Sequence, residues 1–189
     1  AWDQDTYTDL LGEYVYGGEV DYAALKEKDW KRLDDVYRSL ATVEANRFGS
    51  DDAALAFWIN AYNTIVLHEA TRAYPVKNVW SASLRFFKIK HAVAGRKISL
   101  DEIEHDIIIN RFHDARIHFG VNCGSASCPI LPSEPYTPEN LQRKLDANAR
   151  QFINNQANVR FDETKGILYL SKIFDWAAAD FKRDAGSVE

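Results

Sequence analysis

The sequence has no methionine and only two cysteines, Cys123 and Cys128, in 189 residues. A missing initiator and an opening Ala1-Trp2 are what removal of a signal peptide leaves behind, so the expected location is extracytoplasmic, periplasmic or secreted. Two cysteines are too few for a disulfide scaffold. They read as a local bridge, as a reactive thiol with a neighbour, or as two buried thiols. Basic blocks are also absent: 23 Lys plus Arg stand against 28 Asp plus Glu, a formal net charge of −5. Nothing here drives binding to a phosphate backbone, and nucleic acid is not an expected partner. The longest apolar stretch, Ala53 to Leu67, is interrupted by Asn60 and Asn63, and no transmembrane segment is expected. GxGxxG, P-loop, HExxH and CxxC patterns are missing. Cys-x₄-Cys is not a zinc-knuckle spacing, and adding His118 gives three ligands at best, so neither metal nor cofactor is expected. No repeat or Gly/Ser-rich linker divides the chain. It reads as a single domain over residues 1–189 that stops without a closing element, as a truncated C-terminus would.

What is present is patterned. Leu10, Leu11, Tyr14 and Val15 recur at helical spacing before Gly17-Gly18 breaks the run. A short helix over Tyr22–Asp29 and an amphipathic one through Leu33, Val36, Tyr37 and Leu40 follow. Ser50 is placed to cap a long helix from Asp52 to about Tyr74, ended by Pro75. Its apolar residues spread around the cylinder, which predicts a central, buried helix. Phe86–Lys90 and Arg96–Ile98 read as a hairpin turning at Ala94-Gly95. Ser99-Leu100-Asp101-Glu102 is a capping-box pattern opening a helix to about Phe112. Arg116 to Asn122 alternates like a strand that feeds the loop Cys123–Pro129. Thr137-Pro138 starts a helix with Leu141, Leu145 and Phe152 inward, and Val159–Phe161 with Ile167–Leu170 form a closing hairpin. Helices first and short strands later make an α+β fold, with a helical first half packed on a small, mostly antiparallel sheet.

The chemistry-bearing candidates cluster in the middle. Cys123 stands where a strand would enter a loop rich in small residues, whose amides, from Gly124 to Ser127, could hold an oxyanion. A thiol there becomes a nucleophile if an imidazole activates it; the other reading is a Cys123–Cys128 disulfide closing a tight loop. His118 is the nearest imidazole in sequence, but strand alternation puts it on the face opposite Cys123. His105 lies a helical turn from Asp101 and Glu102 and could be oriented by an acid, or it could simply face solvent. Glu104 points elsewhere around the same helix. Asn60 and Asn63, inside the apolar helix, need partners, because an unpaired buried amide costs roughly 1–3 kcal/mol. They bond the backbone of a crossing loop, hold the Cys loop, or orient an imidazole. His68, His91 and His113 read as surface or hairpin residues.

The strings Phe57-Trp58-Ile59-Asn60-Ala61-Tyr62-Asn63, Ser99-Leu100-Asp101-Glu102-Ile103-Glu104-His105 and Arg116 through Pro129 resemble the family of domains of unknown function numbered 547. Tyr14-Val15, Val20-Asp21-Tyr22, Ile173–Trp176 and Asp180-Phe181 add to the likeness, which spans most of the chain. The family occurs as exported bacterial proteins and in plant proteins behind a coiled coil; with no coiled coil here, the resemblance implies the bacterial, exported kind. It also implies a Glu-His pair on a helix, a His on a strand and a Cys in a loop, which resembles the parts of a papain- or transglutaminase-type thiol site by analogy alone.

Two functions follow as expectations. In the first, the protein is an exported thiol hydrolase or acyltransferase acting on an amide or ester bond of a peptide, ester or small molecule. Cys123 is its nucleophile, His105 (favoured) or His118 its base, Glu104 or Asn60 its orienter. In the second it is a non-catalytic binding or assembly module, with Cys123–Cys128 a structural bridge and Trp30, Trp80 and Trp176 as contact surface.

Overall fold

The computed structural model describes residues 1–75, 86–123 and 128–185. Its centre is α4 (Asp51–Ala73), in which every residue from Ala54 to Thr71 is buried. Ser50 caps this helix by accepting a hydrogen bond from the Ala53 amide at 3.1 Å. Three helices cover one side: α1 (Gln4–Tyr14), α2 (Tyr22–Lys28) and α3 (Trp30–Ser39). Asp3 and Asp21 cap α1 and α2 through the Thr6 and Ala24 amides. Between α1 and α2, β1 (Val15–Tyr16) and β2 (Glu19–Val20) form a tight antiparallel hairpin around Gly17-Gly18. Gly18, at φ +88°, could take no side chain without striking Ile130, whose Cβ would lie 2.5 Å from an added Cβ.

The fold is α+β, and the strands among the described residues form three separate two-stranded antiparallel hairpins instead of one small sheet. In the second, β3 (His91–Val93) pairs with β4 (Arg96–Ile98). Here the pairing differs from the expected Phe86–Lys90 partner. The two-residue turn Ala94-Gly95, with both φ values positive, forces Val93 opposite Arg96 and so sets the register. Phe86–Lys88 is a 3₁₀ turn instead. The Ala94 and Gly95 amides donate to the carbonyls of Leu40 and Ala41, which ties this hairpin to the end of α3.

The capping box at Ser99 and Glu102 forms in full and opens one continuous helical run. It starts as α5 (Leu100–Glu102), widens to a π-helix over Ile103–Ile109, and closes as α6 (Asn110–Phe112) against left-handed His113. Such π segments often mark functional sites. The strand expected at Arg116–Asn122 does not form. Asp114 accepts the Arg116 amide at 2.9 Å and starts a 3₁₀ turn over Ala115–Phe119. The alternating Ile117, Phe119 and Val121 are all buried, so burial, not strand pairing, accounts for the pattern.

Beyond the cysteines, Thr137 accepts the Asn140 amide with its hydroxyl, and the helix α7 (Leu141–Asn154) runs with Leu141, Leu145 and Phe152 buried. The last hairpin, β5 (Val159–Asp162) with β6 (Ile167–Leu170), precedes α8 (Ile173–Trp176) and α9 (Ala178–Ala185). No helix among the described residues is long and apolar enough to cross a membrane.

Of the histidines expected at the surface or in a hairpin, His91 lies in the β3–β4 hairpin and His68 in α4, and they are only 3% and 4% exposed. His68 stacks between Tyr37 and Trp30, ring centroids 4.0 and 4.8 Å away. Its Nε2 faces Asp34 at 3.0 Å and its Nδ1 faces Glu69 at 3.1 Å. The Tyr37 hydroxyl lies 2.9 Å from His91 Nδ1. Helical periodicity misplaced His68 because α4 is apolar on every side, so no polar face was available to it. His113 is exposed.

Candidate active site

The buried asparagines of α4 come first, since they place everything else. Asn63 donates from Nδ2 to the Gly120 carbonyl at 3.0 Å and accepts the Asn122 amide at 2.8 Å on Oδ1. Asn60 makes the same two-way grip on residue 136, donating to its carbonyl at 2.7 Å and accepting its amide at 2.9 Å. Each side chain imitates a backbone pairing partner and satisfies both of its polar ends. Asn63 thereby holds the lead-in to Cys123 against the central helix, while Asn60 holds the lead-in to α7. Neither contacts an imidazole.

Next to the Asn63 grip lies a cavity of about 280 Å³, lined by Tyr62, Asp101, Glu104, His105, His118, Cys123, Cys128 and a set of apolar side chains that includes Trp176. Three larger hollows, of about 430, 600 and 350 Å³, contain no histidine or cysteine among their described lining residues. Chemistry therefore points to the smaller cavity. Cys123 and Cys128 are joined in a disulfide with their Cα atoms 5.9 Å apart. Gly124 and Ser127, the expected oxyanion donors, lie outside the described residues, as does Trp80.

The 3₁₀ turn changes where His118 lies. Strand geometry would have carried His118 away from Cys123; at three residues per turn that alternation does not apply, and both residues line the same cavity. His118 is 7% exposed. Its Nε2 lies 2.9 Å from Asp180 Oδ2, and its Nδ1 lies 4.0 Å from Glu104 Oε1. His105 sits at the rim with its side chain 59% exposed, 3.6 Å from Asp101. Of these two histidines, only His118 is both buried and within hydrogen-bond distance of a carboxylate.

Asp180 entered the reading of the sequence only in the Asp180-Phe181 string of the family likeness, not as a site residue. It comes from α9, 62 positions from His118, and no short-range pattern connects them. The only local trace is its spacing from Asp184, one helical turn on. Asp184 accepts the Ala115 amide at 2.6 Å while Asp180 meets His118, so one face of α9 grips the 3₁₀ turn twice. Arg183 holds Asp180 on its other oxygen at 2.7 Å. Burial alone would raise the Asp180 carboxyl, but the hydrogen bonds from His118 and Arg183 outweigh it and hold it below the usual carboxylate range. Aromatic packing of Phe181 on His118 and Phe119 completes the seat.

On the opposite wall Glu104, in the π-helical segment, accepts a hydrogen bond from the Tyr62 hydroxyl at 3.3 Å. Burial pushes the Tyr62 phenol well up, and the Glu104 carboxylate beside it adds to the shift, so Tyr62 stays a protonated donor. Among the described residues no group of three or more His, Cys, Asp or Glu side chains is arranged to hold a metal ion. The site contains an imidazole fixed by a carboxylate, a second carboxylate with a phenol, and two cysteine sulfurs, which is an inventory for proton transfer and thiol chemistry.

A family model described as "Protein of unknown function, DUF547" matches residues 47–153, just over half of the 189 residues. The matched span includes both asparagines, Glu104, both cavity histidines and both cysteines; Asp180 lies past its end. No curated protein matches the chain, and no solved structure does.

Proposed function

We propose, for a chain that belongs to the DUF547 family, a thiol-dependent hydrolysis or acyl transfer at an amide or ester bond. The observation that carries this reading is the pairing of His118 with Asp180 on the wall of the cavity that also holds Cys123. In the reduced protein, His118 takes the Cys123 proton on Nδ1 while Asp180 fixes the ring through Nε2. The thiolate adds to the carbonyl carbon, and collapse of the tetrahedral adduct expels the amine or alcohol, which receives that proton from His118. Water or an acceptor nucleophile then gives its proton to His118 and cleaves the thioester, restoring the thiol. His105 at the rim contacts substrate. Entry into this cycle requires a dithiol reductant, which becomes oxidised as Cys123 and Cys128 gain two electrons and two protons.

The disulfide favours a second reading, a binding or assembly module whose recognition loop is closed by a structural bridge. It also supports an oxidising, extracytoplasmic location. Alkylation across pH 5 to 9 after dithiol reduction, followed by intact and peptide mass, separates the two. The thiol reading expects Cys123 to react with an apparent pKa well below the roughly 8.5 of a free thiol, and His118→Ala to slow it at neutral pH by about 10²-fold. A Cys123 that titrates like a free thiol and ignores His118→Ala makes the binding module the better account.

A further inference from the structure

The same cavity has a charge character that thiol chemistry does not call for. Elsewhere, sheltered carboxylates draw on a guanidinium: Asp34 on Arg38, Glu69 on Arg72, Asp114 on Arg116. Around the cavity there is no lysine or arginine among the described lining residues. Among the described residues Glu104, with its side chain 22% exposed, meets the Tyr62 hydroxyl at 3.3 Å and the His118 ring at 4.0 Å but no lysine or arginine. Asp101, its side chain half exposed at the rim, has His105 at 3.6 Å and no lysine or arginine among the described residues. A sheltered carboxylate without a cation is costly, and a ligand can supply the missing charge. The second observation is His118 itself. It is 7% exposed, Nε2 is taken by Asp180, and Nδ1 faces Glu104 with no hydrogen bond among the described residues. A ring nitrogen that a buried side chain presents to a cavity can meet a ligand there. Facing these acids is an apolar wall that includes Ile173 and Trp176, whose indole stands 66% exposed.

We infer that the cavity selects a substrate carrying an ammonium or guanidinium beside an aromatic or aliphatic group. The cation sits on Glu104 and Asp101, the apolar part on Trp176 and Ile173, and the indole face adds cation–π attraction. Substrates with a carboxylate at that position are repelled. The inference rests on the reading of this cavity as the place where substrate is held.

Two matched indoles test it by calorimetry on the intact chain at pH 7.5 and low salt: tryptamine, which is cationic, and indole-3-acetate, which is anionic. The expected result is about tenfold tighter binding of tryptamine, falling to within about twofold in Glu104→Gln/Asp101→Asn protein that melts at the wild-type temperature. Equal or tighter binding of indole-3-acetate, no binding of tryptamine, or a preference that survives the double substitution overturns the inference. Alkylation of Cys123 in the same preparation keeps the two ideas apart. A reactive Cys123 without charge preference defeats only the substrate class; a charge preference with an inert Cys123 supports the substrate class and defeats the thiol chemistry.

Discussion

His68 and His118 are both buried imidazoles set between carboxylates, and they differ in what their second nitrogen meets. His68 has Asp34 and Glu69 within 3.1 Å on its two nitrogens and an aromatic ring on each face. Nothing is left over for a ligand. His118 has one nitrogen within hydrogen-bond distance of Asp180 and the other on a cavity wall, with Glu104 4.0 Å away. The first arrangement holds α3 to α4. The second leaves one proton-transfer atom uncommitted, which catalysis requires and stability does not. Carboxylates around a histidine are therefore weak evidence of an active site unless the ring also opens onto space.

The sharpest way to break this comparison is to remove the rings in turn. His68→Ala removes one hydrogen bond from each of Asp34 and Glu69, which keep Arg38 and Arg72, and empties the ring site between Tyr37 and Trp30; it should cost about 3–5 kcal/mol, as loss of a buried ring does. Urea unfolding would measure it, and a loss under about 1 kcal/mol would mean that the cluster behaves like a surface pair. Asn63→Ala should come next, at about 2–4 kcal/mol, because it removes at once both hydrogen bonds that Asn63 makes to the Gly120–Asn122 segment. The same variant should blunt any special reactivity of Cys123, since it releases the chain that leads into it. His118→Ala should cost least in stability, about 1–2 kcal/mol, while having the greatest effect on Cys123 alkylation. If its stability cost matches that of His68→Ala, the distinction between a closed and an open cluster fails.

Acid provides the mildest probe, and its sign can be worked out for each group. Burial holds the His91 ring below its ordinary value of 6.5. The unfolded chain therefore takes up a proton near that pH which the folded chain refuses, and stability should begin to fall as pH drops below 6.5. Asp34 and Glu69 are opposed by burial, but hydrogen bonds to Arg38, His68 and Arg72 keep them below their ordinary 3.8 and 4.5. Their contribution is present above those values and is lost as pH falls through the depressed folded values. A pH series of unfolding midpoints should thus show a shallow decline below 6.5 and a steeper one below about 4.5. His91→Gln should remove only the first. A decline that starts at 6.5 in both proteins would shift the cause to another group.

Local chemistry was legible wherever it was self-contained. Ser50, the capping box at Ser99 and Glu102, the α4 core and the last hairpin needed only residues near one another in the chain. Asn60 and Asn63 were legible in kind, because a buried amide must find a partner, although nothing local identified residue 136 or the Gly120–Asn122 segment. The stretch from Arg116 to Asn122 was misread because alternation of Ile117, Phe119 and Val121 satisfies a strand and a tightly wound, deeply buried turn equally well. The Asp114 cap and the docking of α9 decide between them, and the second of these is remote in sequence.

By itself the sequence determined the caps, the buried central helix, the mixed α+β character and the requirement that two buried asparagines be answered. These depend on periodicity and on hydrogen-bonding groups a few residues apart. Tertiary structure alone decided that His118, not His105, is the clamped imidazole, that Asp180 is its partner, and that no described lysine or arginine lines the cavity beside Glu104. Each of those outcomes depends on which surfaces meet, and a side chain's partner across 62 positions is set by packing of the whole chain, for which no local spacing carries a signal.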